Sequence, residues 1–329
     1  MTERLRSCPN CGAAALETLR QLAVSRARRP AELLHCHGCD VLVLLDPASS
    51  AAAASAAGTP AAAASAESKP QQPPQAPSWL QVAYADAFYG DTGYVDRNLH
   101  AATLIRLLLL LGRLQGLAPV EPIRDLGTGL GMLPRLLRDH GLDACGSDSY
   151  AAMELIRPFV ADAGSAYPCR TAFEVIEHLS DTAAFLREQV AGAELFVFST
   201  LMRRDGEIPP PDWWYYAFGN GQHITFHSRR SFRAAMARAG LDPDWLTTID
   251  GPVHPRALHA IAPDRRWRRA LQLAGGLLHQ PLGRLLALPL LTPLEQLQGR
   301  RCRIIPDHER AMALLETALR SSAEPGPCP

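Results

Sequence analysis

The segment AFEVIEHLSD (172–181) sets Glu174, Glu177 and His178 within five positions. In a helix these fall at i, i+3 and i+4 and share one face. Two carboxylates and an imidazole so placed form a solvated surface, an acid/base cluster or a cation site. Carboxylate plus imidazole suits Mg, Mn or Zn, and a bound metal acidifies a hydroxyl beside it. An imidazole alone titrates near neutral pH and can act as a base. A second set with chemical reach is CPNC (Cys8, Cys11) and CHGC (Cys36, Cys39), two C-x-x-C pairs separated by 24 residues. Each pair makes a tight knuckle presenting two thiolates, and two knuckles complete a tetrahedron around zinc. Gly12 and Gly38 suit the turns, and His35 and His37 are substitutes that a four-cysteine site does not need. A closed thiolate shell leaves no open position, so such a zinc is structural.

These groups need a scaffold. The chain has 329 residues, a net charge of +0 and 47% hydrophobic residues. It can bury a sizeable core, and it lacks the global basic field of a dedicated nucleic-acid binder. The longest apolar region, 273–294, is interrupted by His279, Gln280, Arg284 and prolines, so it does not read as a membrane span. MTERLRSCPN lacks the apolar core of a secretory signal. The expectation is a cytoplasmic protein whose eight cysteines are thiols or metal ligands.

Composition divides the chain into a ribbon (1–46), a low-complexity linker rich in Ala, Ser, Pro and Gln (47–77), a main domain (78–262) and a helical C-terminal extension (263–329). In the main domain, LHAATLIRLLLLLGRLQGL (99–117) reads as a helix. PIRDLGTGLGMLPRLLRDHG followed by LDACGSDSY reads as strand, glycine turn, helix, strand, a βαβ unit of a parallel sheet. ELFVFST (194–200) is a buried strand. SRRSFRAAMARAG (228–240) is an amphipathic helix capped by Ser228 and stopped by Gly240. DWLTTI and ALHAIA are closing strands.

The turn DLGTGLG places glycines at 127, 129 and 131, but Met132 stands where a dinucleotide fingerprint has its third small residue. Asp125 ends the strand before the turn, and Asp148 ends the next strand, 17 positions after Gly131. An acid at the second position can hold a ribose diol. A carboxylate at the loop mouth favours a cationic ligand over a pyrophosphate.

With these motifs in this order, residues 97–262 resemble the class I S-adenosylmethionine-dependent methyltransferases, in the group that includes the ubiquinone O-methyltransferases. DLGTGLG resembles their first motif and GSD their second. TAFEVIEHLSDTAAFLRE resembles the exit of their fourth strand, and GQHITFHSRRSFRAAMARAGL the segment after their fifth. The resemblance implies an α/β, Rossmann-like sheet of seven strands with helices on both faces, here preceded by a small zinc ribbon and followed by a helical tail. It implies that Asp125, Gly127, Thr128, Gly129 and Gly131 form the loop against the methionine part of the cofactor. Asp148 would take the ribose hydroxyls, with Ser149 and Tyr150 near the adenine, and Thr171, Ala172 and Phe173 would line the pocket. Only about twenty residues separate Asp148 from the fourth strand, so the third strand is compressed.

Related O-methyltransferases, including small-RNA 2′-O-methyltransferases, hold a divalent metal with Glu-x-x-Glu-His. The RNA enzymes add a histidine after strand five, here His223. The resemblance therefore leaves Glu174, Glu177, His178 and His223 three roles: capping the next helix, holding a divalent metal, or metal-free base catalysis by His178 or His223. The ribbon-plus-methyltransferase layout also resembles deoxysugar C-methyltransferases, although their catalytic Tyr/His segment is missing. The aromatic block PPPDWWYYAFGNGQH reads as a lid on the core or as a platform for a sugar or base. RRWRRALQLAGGLL reads as a helix packed on the domain or as a contact with a membrane surface. The function expected is methyl transfer from S-adenosylmethionine to oxygen or carbon of a small-molecule or sugar/glycan acceptor. An RNA 2′-O-methyltransferase and a non-catalytic binding protein are the alternatives.

Overall fold

The computed structural model describes residues 7–24, 29–46, 79–85, 93–162, 164–249 and 257–323. The linker expected over 47–77 lies outside them. In chain order the elements are β1 (Leu16–Val24), β2 (Arg29–Cys36), β3 (Leu42–Leu45), α1 (Leu80–Ala85), α2 (Tyr94–Leu114), β4 (Ile123–Leu126), α3 (Met132–Asp139), β5 (Ala144–Ser147), β6 (Cys169–Phe173), α4 (Thr182–Gln189), β7 (Leu195–Ser199), β8 (Thr225–Phe226), α5 (Arg229–Arg238), β9 (Leu246–Ile249), β10 (Leu258–Ile261), α6 (Arg265–His279), α7 (Pro281–Leu297) and α8 (Ile304–Ala323).

The main sheet has the order β5-β4-β6-β7-β10-β9. Its first four strands are parallel, and β10 pairs antiparallel with both β7 and β9. All five residues of β7 (LFVFS) are buried, as expected for a strand covered on both faces. Among the described residues six strands form this sheet, where seven were expected. Beside β5 a single parallel bridge, Gly146 to Val160, stands in the place of a further strand. The stretch between β5 and β6 is too short for a strand and its crossover helix. It makes a 3₁₀ turn at Arg157–Phe159 instead.

Helix α2 is hydrophobic nearly all round, and Leu104, Ile105 and Leu107–Leu110 are buried accordingly. Its Gly112 lies under Trp267 of α6, where an added Cβ would sit 2.3 Å from the ring. The arginine-rich helix α6 thus turns its tryptophan and Ala270, Leu271 and Ala274 into the core, which is the packed reading of that segment. Two buried ion pairs fasten the rest of the tail. Arg106 of α2 meets Glu295 of α7 at 2.6 Å, and Arg138 of α3 meets Asp307 of α8 at 2.7 Å. No helix among the described residues is long and apolar enough to cross a membrane.

A second sheet, β1-β2-β3-β8, runs antiparallel throughout. Its fourth strand comes from the main domain. Tyr215, Tyr216 and Phe226 pack there with Leu33, Leu42, Leu44 and Trp79. Two of the four clustered aromatics are therefore core, while Trp214 remains 63% exposed. The ribbon is not a separate bead; its sheet is completed by the segment that follows β7.

Candidate functional site

Beyond β4 the chain reverses through Gly127, Gly129 and Gly131, all at positive φ (65°, 61° and 88°). A Cβ on Gly127 would lie 2.6 Å from Val175, and one on Gly131 2.3 Å from Ile156, so the turn needs glycine for space as well as for backbone angle. Asp148 closes the turn from the end of β5. Its carboxylate accepts from the N–H of Gly129 at 2.8 Å, of Tyr150 at 2.7 Å and of Ala151 at 2.8 Å. Ser149 and Tyr150 are exposed beside it. From α2, Tyr94 spans the loop: its hydroxyl accepts from Leu130 N–H at 3.1 Å and donates to the Thr128 carbonyl at 3.4 Å. Nothing in the sequence motif pointed to Tyr94.

Thr171 and Ala172 are buried at the end of β6, and Phe173 is half-buried. Thr171 donates to Asp125 at 2.6 Å. Burial pushes the Asp125 carboxyl up to about 7, against the pull of the hydrogen bond from Thr171. A carboxyl held higher in the folded chain than its ordinary 3.8 keeps its proton on folding, so the folded state loses stability as pH rises from about 4 to about 7. Asp125→Asn is therefore expected to gain on wild type by about 2 kcal/mol or more between pH 5 and pH 8. Urea unfolding at the two pH values checks this, and an equal slope for both proteins would contradict it.

The Glu/His cluster is not the single helical face that the spacing suggested. Glu174 sits at φ 59°, a left-handed position uncommon for a residue with a side chain. Ser199 at the end of β7 holds it there, its hydroxyl accepting from Glu174 N–H at 3.0 Å and donating to Glu174 Oε1 at 2.8 Å. The chain then makes a 3₁₀ turn at Ile176–His178. The group that converges is Glu177, His178 and His223, whose ligand atoms all lie within 4.8 Å of one another. Glu174 is not part of it.

His223, on the loop before β8, donates from Nδ1 to the Tyr215 carbonyl at 2.7 Å, a carbonyl being only an acceptor. That leaves the Nε2 lone pair of the neutral ring available. His178 Nδ1 is hydrogen-bonded to the hydroxyl of Tyr84 in α1, and the Tyr84 ring stacks on Tyr150 at 4.2 Å. Burial, then the neighbouring His223, holds His178 well below the usual imidazole range. Burial raises Glu177, while His223 draws it back. Val175 packs on Gly127, so the cluster and the glycine loop adjoin. Two imidazoles and one carboxylate form a donor set that fits a divalent cation and leaves coordination positions open. They equally fit a neutral histidine acting as a base.

The four ribbon cysteines also converge. Cys8 and Cys39 sulfurs are 3.8 Å apart and Cys11 and Cys36 3.7 Å, far too long for disulfides. A tetrahedron with Zn–S near 2.3 Å has edges of about 3.8 Å, so the set fits zinc.

Residues 97–244 match the family model described as a methyltransferase domain. A search of curated proteins finds no match to the sequence. Among solved structures, the fold resembles a candidate O-methyltransferase of Nostoc punctiforme at 14% identity, TM-score 0.38, over 55% of this chain and 59% of that one. It also resembles the magnesium protoporphyrin IX methyltransferase of Synechocystis with bound SAH, at 16% identity and TM-score 0.34, over 55% of this chain and 93% of that one. Human N-acetylserotonin methyltransferase in complex with SAM aligns at 12% identity and TM-score 0.38, over 56% of each chain. The chain thus spans less than two thirds of the length of the Nostoc and human proteins. The family match spans the glycine loop, Asp148 and the Glu177–His178–His223 set: residues 97–244 carry the match to a methyltransferase domain, with a four-cysteine ribbon before them and a helical extension after them.

Proposed function

We propose that the domain transfers a methyl group from S-adenosylmethionine to a hydroxyl of a small-molecule acceptor, a sugar or glycan precursor being the class best suited. The observation that carries this is the convergence of Glu177, His178 and His223 next to the glycine loop closed by Asp148, the two joined where Val175 packs on Gly127. The acceptor oxygen attacks the methyl carbon in line with the departing sulfur, which keeps the bonding pair and leaves as S-adenosylhomocysteine. The proton of the hydroxyl passes to an imidazole nitrogen, His223 Nε2 being available because Nδ1 is committed to Tyr215. Tyr84 fixes the His178 ring, and Glu177 stabilises the positive charge that develops. If the three side chains hold a divalent cation, that ion would lower the pKa of the hydroxyl. Trp214, exposed at the edge of Tyr215, offers a face for a sugar ring.

A 2′-hydroxyl of RNA would meet the same chemistry, and the Glu-His set is what favours that second reading; the net charge of +0 weighs against it. His223→Ala is expected to lower transfer by about a hundredfold or more while S-adenosylmethionine affinity changes by less than about threefold. The assay is release of S-adenosylhomocysteine with a panel of hydroxylated sugars and oligonucleotides, with and without EDTA. Loss with EDTA selects the cation and its absence the base. Full activity in the variant would remove the cluster from the reaction.

A further inference from the structure

The two halves of the site are held by different parts of the chain. The glycine loop is tied by Ser147, Asp148 and Tyr94, all in the main domain. The Glu177–His223 half is tied to the ribbon. Strand β3 pairs with β8 in the register Leu42–Phe226 and Val43–Thr225. One residue further, Leu44 N–H donates to the Ile224 carbonyl at 2.7 Å, and Ile224 N–H donates to the Glu177 carbonyl at 2.8 Å. The Thr225 hydroxyl donates to the Leu179 carbonyl at 2.5 Å. A continuous backbone ladder thus runs from the ribbon through Ile224 to the 3₁₀ turn that carries Glu177 and His178, with His223 adjacent in sequence to the middle rung.

The cysteine knuckles are fastened to the same region. Asp40, next to Cys39 and at φ 72°, forms a buried ion pair with Arg203 at 3.0 Å and accepts from Gly206 N–H at 2.8 Å. Arg203 N–H donates in turn to the His227 carbonyl at 2.9 Å. Asn10 donates to the Ser231 carbonyl at 2.7 Å, Arg238 to Pro9 O at 2.7 Å, and Arg230 to Gly38 O at 3.0 Å. The strands that join ribbon and main domain, β3 and β8, have only four and two residues, and the four thiols form much of a small core with Leu34, Val41 and Val43. A cation bound by all four thiolates would cross-link the two knuckles and fix the start of β3, which follows Cys39 closely.

We propose that the ribbon is a positioning element of the acceptor half of the site: metal in the four-cysteine centre orders β3, and β3 orders Ile224, His223 and the Glu177 turn, while the cofactor loop stands without it. The catalytic meaning rests on the function proposed above; the coupling itself does not. A consequence is that metal loss removes acceptor chemistry and spares cofactor binding.

The test compares the full chain with its zinc and after stripping by a mercurial, thiol reduction and chelation. Hydrogen exchange is read by mass spectrometry and S-adenosylhomocysteine binding by calorimetry. Amides in 221–228 and 176–179 are expected to exchange about tenfold faster or more after stripping, with 123–131 and 195–199 unchanged within about twofold. S-adenosylhomocysteine affinity is expected to hold within about threefold. Faster exchange confined to 8–45 would make the ribbon independent of the site. Faster exchange everywhere would make the metal a general stabiliser. Either result overturns the proposal. Asp40→Asn keeps a residue that tolerates positive φ but removes the charge facing Arg203. With zinc retained it is expected to accelerate exchange at 203–207 and 223–228, and unchanged exchange there would also overturn the proposal. Exchange needs no turnover, so a chain that bound no cofactor would refute the proposed function and leave this result readable.

Discussion

Asp148→Ala is expected to weaken S-adenosylmethionine binding by about a hundredfold or more, with the ribbon keeping its zinc. Two losses combine. The ribose diol would lose a carboxylate acceptor, and charge-assisted hydrogen bonds contribute about 1.5–3 kcal/mol each. The loop would also lose its anchor, because Asp148 accepts from the N–H groups of Gly129, Tyr150 and Ala151. Gly129 sits at φ 61°, a conformation that glycine adopts without steric cost but that it leaves as easily once the tether is gone. Asp148→Asn retains one carbonyl acceptor and should fall between wild type and alanine. Calorimetric titration of the three proteins decides it. Equal affinities would mean that the ribose is held elsewhere and that Asp148 serves the turn alone.

Cys36→Ser is expected to reduce bound zinc from about one to below about 0.1 per chain. Structural zinc in small cysteine domains contributes on the order of 10–16 kcal/mol at neutral pH, and a serine hydroxyl does not replace a thiolate. Cys36 is fully buried, 3.7 Å from Cys11, so no solvent ligand enters in its place. Cys302, exposed and remote from the ribbon, is the control: Cys302→Ser should leave the zinc content unchanged. Elemental analysis of the gel-filtered proteins gives the ratio, and full zinc in Cys36→Ser would refute the four-thiolate site.

What the sequence made legible was local. Cys8, Cys11, Cys36 and Cys39 announced themselves because each pair is a fixed short spacing. The glycines of the loop did so because a turn with three positive φ angles admits little else. Ser228 could be read as a cap, and it makes a full capping box with Ser231. Glu174 misled because a helical face was inferred from five residues, too few to establish a period. The chain there runs through a left-handed residue into a 3₁₀ turn. Tyr84 and Tyr94 were illegible because their partners lie 94 and 36 residues away. A two-residue strand such as β8 has no pattern at all, so the shared sheet that joins ribbon and main domain could not be anticipated. The lack of a seventh strand among the described residues was half legible: the short interval between β5 and β6 signalled compression, and a single bridge at Val160 stands there.

The central claim is that this chain moves a methyl group at the junction of the glycine loop and the Glu177–His178–His223 set. The most direct measurement incubates wild type, Asp148→Ala and His223→Ala with methyl-labelled S-adenosylmethionine and fractionated extract of the source cell. Label is expected in a low-mass or glycan fraction with wild type, and transfer reduced by about a hundredfold or more in both variants. No label in any fraction, from a wild-type chain that binds the cofactor, would contradict it.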